Sequence, residues 1–427
     1  MSLTKEDYYE RLIDKKIEKY LNIFGAISII GPKWCGKTWT SLNHANSVTY
    51  MTERGPRDLA NVNPKYIFEN DRPQLIDEWQ LVPAIWDSVR HECDNDHEKG
   101  KFLLTGSTSL SKQETDEEIF HSGTGRIATI RMYPMSLYES KDSTGEVSIM
   151  DMFNGTVKCK HTKKIELDEI AKLIIRGGWP ENLDKDINDI DIIPKSYIDS
   201  VISKDINERK DKKRDSNKMK MLIRSLARNE SSIAGNDTIV KDIEEFENSN
   251  ELIESRITVA DYFSVLDSLY LTSNQEAFNL NYRSSDRIGK SPKRHLVDPS
   301  LACASLDLSI SKLLYDLNTF GFMFEALVER DLRIYIEYLD GHLYHFRDNT
   351  SGDEVDAILE LRDGSYGAIE IKLTDKGIED AKKSLLKFYK NVKVKPKFMC
   401  IIVGYYEAII QDKDTGIYIV PITALKP

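Results

Sequence analysis

Cysteine is scarce and unpatterned in this sequence. The 427 residues include five cysteines, which are scattered along the chain and form no CxxC pair. An odd, unpatterned set is typical of free thiols in a reducing compartment, and it argues against a disulfide framework or a zinc site. We therefore expect a cytoplasmic protein.

Long apolar runs and an excess of positive charge are also missing. No run approaches the roughly 18 apolar residues that a membrane span needs. The charged residues Lys5, Glu6 and Asp7 stand where a secretory signal would have its apolar core. We expect no membrane association. The net charge of −11 gives no global attraction to nucleic acid, so DNA is a candidate partner only through local basic patches.

The stretch GPKWCGKTWT, from Gly31 to Thr40, has the spacing of a phosphate-binding loop. An apolar run, AISII, precedes it and a helix-forming segment follows, which is the strand, loop and helix order that such a loop requires. Backbone N–H groups would hold the phosphates of ATP, Lys37 would neutralise the β and γ oxygens, and Thr38 would bind Mg²⁺. The predicted nucleotide contacts are Gly31, Pro32, Lys33, Trp34, Cys35, Gly36, Lys37, Thr38 and Trp39.

Cys35 stands inside this loop, beside Lys37 and the start of the helix. A thiol near positive charge is often reactive, so alkylation of Cys35 could block nucleotide binding. The alternative is an inert small residue that fills the loop.

An acidic pair follows the next buried strand. Leu75 and Ile76 precede Asp77 and Glu78, which predicts that both acids lie at the carboxyl end of that strand. Asp77 is the candidate metal ligand beside Thr38, and Glu78 is the candidate group that polarises the attacking water.

Two further stretches carry candidate phosphate contacts. The strand KFLL is followed by Thr105, Gly106, Ser107 and Thr108, and Ser107 is the residue that we expect to bond the γ-phosphate or the water. Arg126 lies in the glycine-rich stretch SGTGRI. It is a candidate catalytic arginine, acting in cis or from a neighbouring subunit.

The middle of the chain predicts a group of helices. Residues 209–228 are rich in lysine and arginine, and two segments headed by threonine follow them. Three short helices and a hairpin would form a winged helix. Its third helix, Val259 to Leu269, carries Asp261 and Asp267 and no basic residue, so docking to DNA is disfavoured and a packing or interaction module is favoured. The first of these helices has apolar residues at helical spacing, at Met219, Leu222, Ile223 and Leu226.

The last part of the chain has its own candidate chemistry. Asp356 falls in one predicted strand, and Glu370 and Lys372 fall on one face of the next. Two carboxylates can hold Mg²⁺ while a lysine orients or deprotonates water, which suits phosphodiester cleavage. A charge-paired strand surface is the alternative. Lys382, Lys383 and Lys387 on the following helix are the candidate DNA contacts.

The order of GPKWCGKT, LIDE, LLTGST, SGTGRI and YPMSLYE resembles prokaryotic AAA-type ATPases with a Walker A loop and an uncharacterised C-terminal region. The segments GGWPE, Gly177 to Glu181, and YIDSVISKDI, Tyr197 to Ile206, fit that resemblance. Thr108 departs from it, standing where asparagine or serine is frequent. The tail resembles the PD-(D/E)xK nuclease superfamily, which implies roles for Glu325, Asp356, Glu370 and Lys372.

Together these features predict a mixed α/β chain with three parts. Residues 1–150 would form an AAA-like P-loop ATPase domain with a parallel sheet and helices on both faces. Residues 151–305 would be helical and winged-helix-like, and residues 306–427 would form a restriction-endonuclease-like α/β domain. We expect an ATP hydrolase that couples nucleotide state to the last domain, which would act on DNA. The alternative is a nucleotide-gated interaction protein whose last domain binds without cleaving. The sequence leaves open whether the chain assembles with itself or binds a protein partner.

Overall fold

A computed structural model describes residues 3–96, 98–106, 123–205, 215–247, 256–279, 291–348 and 352–427. The chain divides into two compact units. The first comprises Met1–Met135 and Leu266–Leu271, and the second comprises Ser136–Val265 and Thr272–Pro427. The predicted boundary at residue 150 therefore lies beyond the observed division at Met135, and most of the predicted second and third regions lies in one unit.

The first unit contains a five-stranded parallel sheet with the strand order β2-β3-β4-β1-β5. Strand β1 lies between β4 and β5. The loop that follows β1 lies at the carboxyl edge of the sheet, where ligands bind in open α/β sheets. The strands are β1 (Ala26–Ile30), β2 (Ser47–Tyr50), β3 (Gln74–Asp77), β4 (Phe102–Gly106) and β5 (Ile127–Arg131).

Apolar residues on both faces of this sheet are buried, as a parallel sheet requires. Ile27, Ile29 and Leu103 belong to one apolar cluster. Their neighbours Ala26 and Phe102 belong to another, because successive side chains of a strand point to opposite faces. The sequence prediction of a parallel sheet buried on both faces is thereby confirmed. The helices of this unit are α1 (Asp14–Leu21), α2 (Lys37–Asn43), α3 (Arg54–Val62) and α4 (Ala84–Asp96).

The second unit begins with short strands and a series of helices. The GGWPE segment serves packing: the Trp179 side chain is fully buried, and its Nε1 donates to Ser300 Oγ at 2.9 Å. Gly178 N donates to Asp298 Oδ2 at 3.0 Å. These elements are β6 (Val147–Ser148), α5 (Ile149–Asn154), β7 (Lys160–His161), α6 (Leu167–Arg176), α7 (Ile192–Ser200), α8 (Ser216–Arg228), α9 (Asn236–Glu247), α10 (Arg256–Ser268), β8 (Glu276–Ala277), α11 (Pro299–Ser305) and α12 (Ile310–Tyr315).

Helices occur at the three positions predicted for a winged helix, as α8, α9 and α10. After them, antiparallel bridges join Thr272 to Leu296 and Gln275 to Lys293. The tip of the predicted hairpin, residues 280–290, lies outside the described residues. The winged-helix interpretation of this part stays a prediction.

An eight-stranded mixed sheet forms the rest of the second unit, with the order β7-β13-β14-β12-β11-β10-β9-β8. Helix α14 packs on this sheet through Ala381, Leu385 and Phe388, which are fully buried. The elements are α13 (Leu317–Tyr338), β9 (His342–Asp348), β10 (Asp353–Glu360), β11 (Tyr366–Thr374), α14 (Ile378–Asn391), β12 (Phe398–Tyr405), β13 (Ala408–Gln411), β14 (Tyr418–Pro421) and β15 (Leu425–Lys426).

A membrane-spanning helix would have to be both long and strongly apolar. None of the helices in the described ranges meets both conditions.

Candidate functional site

The phosphate loop runs from Gly31 to Gly36, between β1 and α2. Gly31 has φ of +153°, and a Cβ there would lie 2.2 Å from the carbonyl oxygen of Met132. Gly36, which precedes α2, has φ of +101°. Both positions therefore require glycine, and the loop backbone is left open for the close approach of a phosphate group.

Lys37 is the buried cation of this loop, with 6% of the residue exposed. Its Nζ donates to the carbonyl oxygens of Gly31 at 3.0 Å and Pro32 at 2.8 Å. The ammonium group therefore lies across the loop, next to the backbone that is predicted to bind phosphate.

Thr38 and Asp77, predicted as metal ligands, are in direct contact. Thr38 Oγ1 donates to Asp77 Oδ1 at 2.8 Å, and Thr105 Oγ1 donates to the same oxygen at 2.6 Å. The hydroxyl and carboxylate oxygens are hard donors of the kind that Mg²⁺ prefers. The residues present therefore fit a magnesium ion, with Thr38 and Asp77 as its protein ligands.

Glu78 directly follows β3, with φ of +55°. Its N–H donates to Thr105 Oγ1 at 3.3 Å, and Gln80 Nε2 donates to its Oε2. Glu78 is thus held beside Asp77, where a water-activating carboxylate was predicted. Sequence reasoning missed the roles of Thr105 and Gln80; Thr105 ends a strand at the loop edge, and that position was the available signal.

Four other predicted loop contacts differ in how far their side chains are exposed. Trp34 and Trp39 are exposed at 49% and 43%, and Lys33 is half-buried. Cys35 is fully buried with Ile27 and Ile29 in the core of the sheet. This burial favours the alternative of an inert filler, and the hypothesis of a reactive loop thiol stays a prediction.

Residues before the sheet hold the loop from outside. Arg11 is 5% exposed, and its two terminal nitrogens donate to Cys35 O at 2.8 Å and Tyr133 O at 2.8 Å. Asp14 accepts from Arg11 N at 2.8 Å and lies 2.8 Å from His44 Nε2, beyond the end of α2. No local sequence pattern predicts this contact, because Arg11 stands far from the loop along the chain.

Arg126 lies away from the loop of its own chain. It precedes Ile127, which pairs with Ala26 at the amino end of β1, whereas the phosphate loop follows the carboxyl end. A strand of five residues spans about 16 Å. Arg126 instead pairs with Asp94, Nε to Oδ1 at 2.6 Å, and this pair lowers the pKa of Asp94. The cis role of Arg126 is therefore wrong. Ser107 and Thr108 lie outside the described residues.

The C-terminal residues predicted to converge do so. Strands β10 and β11 pair antiparallel, with Ala357 opposite Ile369, which brings Asp356 beside Glu370. Lys372 Nζ donates to Glu370 Oε2 at 2.9 Å and lies 3.5 Å from Asp356 Oδ2. Ile371 N donates to Asp356 Oδ2 at 2.9 Å. We call Lys293, Glu325, Asp356, Glu370 and Lys372 the C-terminal charge cluster.

Lys293 is a member of this cluster that sequence reasoning missed. Its Nζ lies 2.5 Å from Glu325 Oε1 and 3.6 Å from Asp356 Oδ1, and its side chain is 3% exposed. Glu325 projects from α13. Lys293 reaches the cluster from the segment that pairs with Gln275, and no motif at Lys293 connects it with the acids downstream.

Burial and charge set the protonation of the cluster. Burial, followed by the charge of Asp356, raises the pKa of Glu370 to about 8 and that of Glu325 to about 7. Burial would also raise the pKa of Asp356, but Lys293 and Lys372 hold it below its ordinary value. Burial alone would lower the pKa of each lysine, whereas the neighbouring acids raise it, so both stay charged.

A divalent metal does not fit this cluster as it stands. Within the described ranges, no group of three or more His, Cys, Asp or Glu side chains could hold a metal ion. An ammonium group lies next to each carboxylate of the cluster. The prediction of Asp356 and Glu370 as metal ligands is therefore not supported by the arrangement, because Lys293 and Lys372 take up their oxygens.

The lysines proposed as DNA contacts on α14 are also paired. Lys382 lies 2.9 Å from Glu379 and 2.8 Å from Asp412. Lys383 lies 2.9 Å from Asp380, and Lys387 lies 2.6 Å from Asp353. This face of α14 is therefore charge-balanced and does not form a basic patch.

Known families match three segments of the chain. Residues 24–141 match the family described as AAA domain, and they contain the loop, Asp77 and Glu78 in the geometry above. This part of the chain is a P-loop ATPase domain. Residues 167–312 and 320–425 match two domains of unknown function, DUF8612 and DUF4143. Arg11 and Asp14 lie before the first of these matches. The comparison with curated proteins gave no match.

Solved structures resemble the chain at low identity. A Walker-type ATPase of Pyrococcus abyssi is 12% identical over 71% of this chain and 98% of its own, with a TM-score of 0.42. The ORC1 protein of Aeropyrum pernix in complex with DNA is 12% identical over 71% and 95%, with a TM-score of 0.27. RuvB of Thermotoga maritima is 13% identical over 64% and 92%, with a TM-score of 0.28.

Proposed function

We propose that the chain is a magnesium-dependent ATP hydrolase whose nucleotide state acts on its C-terminal region. The observation that carries the proposal is the contact between Thr38 Oγ1 and Asp77 Oδ1 at 2.8 Å. It joins the first residues of α2 to the end of β3, and it supports a shared metal ligand set at the carboxyl edge of the sheet.

Each group of the site has a part in hydrolysis. The N–H groups of the loop and of the start of α2 bind the phosphates, and Lys37 places its ammonium beside them. Thr38 and Asp77 hold magnesium, which when bound neutralises phosphate charge. Glu78 accepts a hydrogen bond from the attacking water, and Gln80 and Thr105 fix its position. In this proposal Arg126 acts only from a neighbouring subunit.

Two variants test the proposal. Lys37→Ala should abolish measurable ATP binding, since it removes the cation that the loop holds against the phosphates.

Glu78→Gln should bind ATP but turn it over at least about tenfold more slowly, because it keeps the shape and loses the charge that polarises water. Binding by isothermal titration and phosphate release are the measurements. Tight binding by Lys37→Ala, or wild-type turnover by Glu78→Gln, would contradict the assignment.

The proposal includes a restriction-endonuclease-like fold for residues 306–427. The order of α13, β9, β10, β11, α14 and β12, with Asp356, Glu370 and Lys372 meeting on adjacent strands, supports it. Cleavage of DNA by this region and a binding role without cleavage are the two candidate outcomes. The pairing of Lys293 with Glu325 and Asp356 favours the second, a nucleotide-gated interaction protein.

A further inference from the structure

Lys293 brings a positive charge into the middle of the C-terminal charge cluster. Its ammonium lies 2.5 Å from Glu325 Oε1 and 3.6 Å from Asp356 Oδ1. These two acids come from α13 and β10, so the lysine bridges the helix and the sheet. The ammonium therefore lies where a metal ion bound by both acids would lie.

The backbone fixes Lys293 in this position. Lys293 N donates to Gln275 O at 2.9 Å, and Gln275 N donates to Lys293 O at 2.9 Å. Gln275 Nε2 in turn donates to the carbonyl oxygens of Asp356 at 3.0 Å and Tyr344 at 2.9 Å. The lysine backbone is thus tied to the strand that carries Asp356, and its side chain enters the cluster from a defined point.

Two lysines offset most of the negative charge of the cluster. Three carboxylates, of Glu325, Asp356 and Glu370, share two ammonium groups, of Lys293 and Lys372. Ser384 Oγ also donates to Glu370 Oε1 at 3.0 Å.

We propose that the Lys293 ammonium is the resident cation of the C-terminal charge cluster and occupies the place of a divalent metal. The wild-type cluster then binds neither Mg²⁺ nor Mn²⁺ and does not cleave phosphodiesters; it links α13 to the sheet. The inference rests on the nuclease-like fold proposed for residues 306–427 and is independent of the ATPase site. Removing the lysine should free the oxygens of Glu325 and Asp356 to accept a metal ion.

The test is thermal unfolding of the full chain in rising Mn²⁺ without nucleotide. Any effect of Mn²⁺ on the unfolding midpoint should be the same in wild type and in Asp356→Asn. Lys293→Met should unfold at a lower temperature without metal, because a buried acid loses its partner, and Mn²⁺ should raise its midpoint progressively. Lys293→Met/Asp356→Asn should lose that rise. Lys383→Met, which removes an exposed lysine of the same unit, is the matched control and should behave as wild type.

Either of two results overturns the proposal. One is a wild-type Mn²⁺ shift that Asp356→Asn abolishes. The other is a folded Lys293→Met variant that shows no response to Mn²⁺. If Lys293→Met does not fold, the wild-type comparison with Asp356→Asn decides alone. A plasmid incubated with wild type and Mg²⁺ or Mn²⁺ should stay intact with and without ATP; nicking that Asp356→Asn or Lys372→Ala removes would contradict the proposal. ATP turnover in the same preparation tests the ATPase assignment separately.

Discussion

The hydroxyl of Thr105 connects the ends of two strands in the nucleotide site. It donates to Asp77 Oδ1 at 2.6 Å and accepts from Glu78 N at 3.3 Å. One small side chain at the end of β4 therefore orients both the metal-binding acid and the residue that activates water. Ser107, the contact predicted from the sequence, lies outside the described residues.

Thr105→Val should bind ATP but hydrolyse it more slowly. Valine keeps the shape and removes the hydrogen bond to a charged group, worth about 1.5–3 kcal/mol, so turnover should fall roughly 10- to 100-fold. Thr105→Ser keeps the hydroxyl and is the matched control. Phosphate release at saturating ATP is the measurement. A valine variant with wild-type turnover would show that Asp77 and Glu78 are oriented without this hydroxyl.

Arg126 should be dispensable for hydrolysis within a single chain. It lies at the amino end of β5 and is paired with Asp94 on an exposed surface. Arg126→Ala should therefore change the turnover number at low protein concentration less than about twofold, and it should cost little stability, since exposed ion pairs contribute little. Activity is measured over a range of protein concentrations. A loss at every concentration would restore a role in cis, and a loss only at high concentration would indicate a partner subunit.

The residues predicted from sequence at the ATPase site are positioned by local structure. Lys37 and Thr38 are fixed by local geometry, and Asp77 is fixed by ending a strand that pairs in the same parallel sheet. Such positions follow from spacing and strand periodicity. Lys293 and Arg11 do not, because their partners are reached only through tertiary packing, and a buried lysine has the same letter in the sequence as a solvated one.

At the scale of elements, the segment before β1 supports the phosphate loop. Arg11 donates to Cys35 O within the loop and to Tyr133 O after β5. Asp14, at the start of α1, accepts from Tyr8 Oη at 2.8 Å and Arg11 N at 2.8 Å, and lies 2.8 Å from His44 Nε2. The segment thus connects the loop with residues that follow α2 and β5.

Arg11→Ala should weaken ATP binding more than it slows the chemical step. Without the guanidinium, the Cys35 carbonyl is buried without this donor, and hydrogen bonds from charged groups are worth about 1.5–3 kcal/mol. We expect a KM for ATP raised roughly tenfold or more with kcat changed much less, because Arg11 lies outside the group of Thr38, Asp77 and Glu78. Arg11→Lys keeps the charge but not the two-pronged contact and should be intermediate. A fall in kcat at unchanged KM would contradict this positioning role.

The elements themselves were predictable to different degrees. Three of the five parallel strands, β1, β3 and β4, follow from short apolar runs that end at polar loop residues, whereas β2 and β5 were not predicted. The burial of the GGWPE segment against Ser300 and Asp298 did not follow, because its partners lie more than a hundred residues along the chain. The strands predicted for the last part of the chain appear, and the lysine within their cluster comes from before the predicted boundary at residue 305.

At the scale of the whole molecule, charge limits the candidate partners. The net charge is −11, and Lys382, Lys383 and Lys387 of α14 are matched by nearby acids. Non-specific DNA binding depends on Lys and Arg neutralising phosphates and weakens steeply with salt. In this region the lysines named above are paired with nearby acids, and the acids of the C-terminal charge cluster are paired with the lysines of that cluster. Such a surface is better suited to binding a protein than a nucleic-acid backbone, which favours a nucleotide-gated interaction protein.

The proposed coupling predicts that nucleotide changes hydrogen exchange in both units. If ATP state acts on the second unit, Glu78→Gln with Mg²⁺ and ATP should change amide hydrogen exchange in residues 306–427 as well as around the loop. The variant holds ATP without consuming it, so one state accumulates, and coupling between sites is a difference in free energy that exchange reports. Lys37→Ala under the same conditions is the control and should show no change in either unit. Changes confined to residues 1–135 in Glu78→Gln would leave the ATPase assignment intact and rule out the coupling.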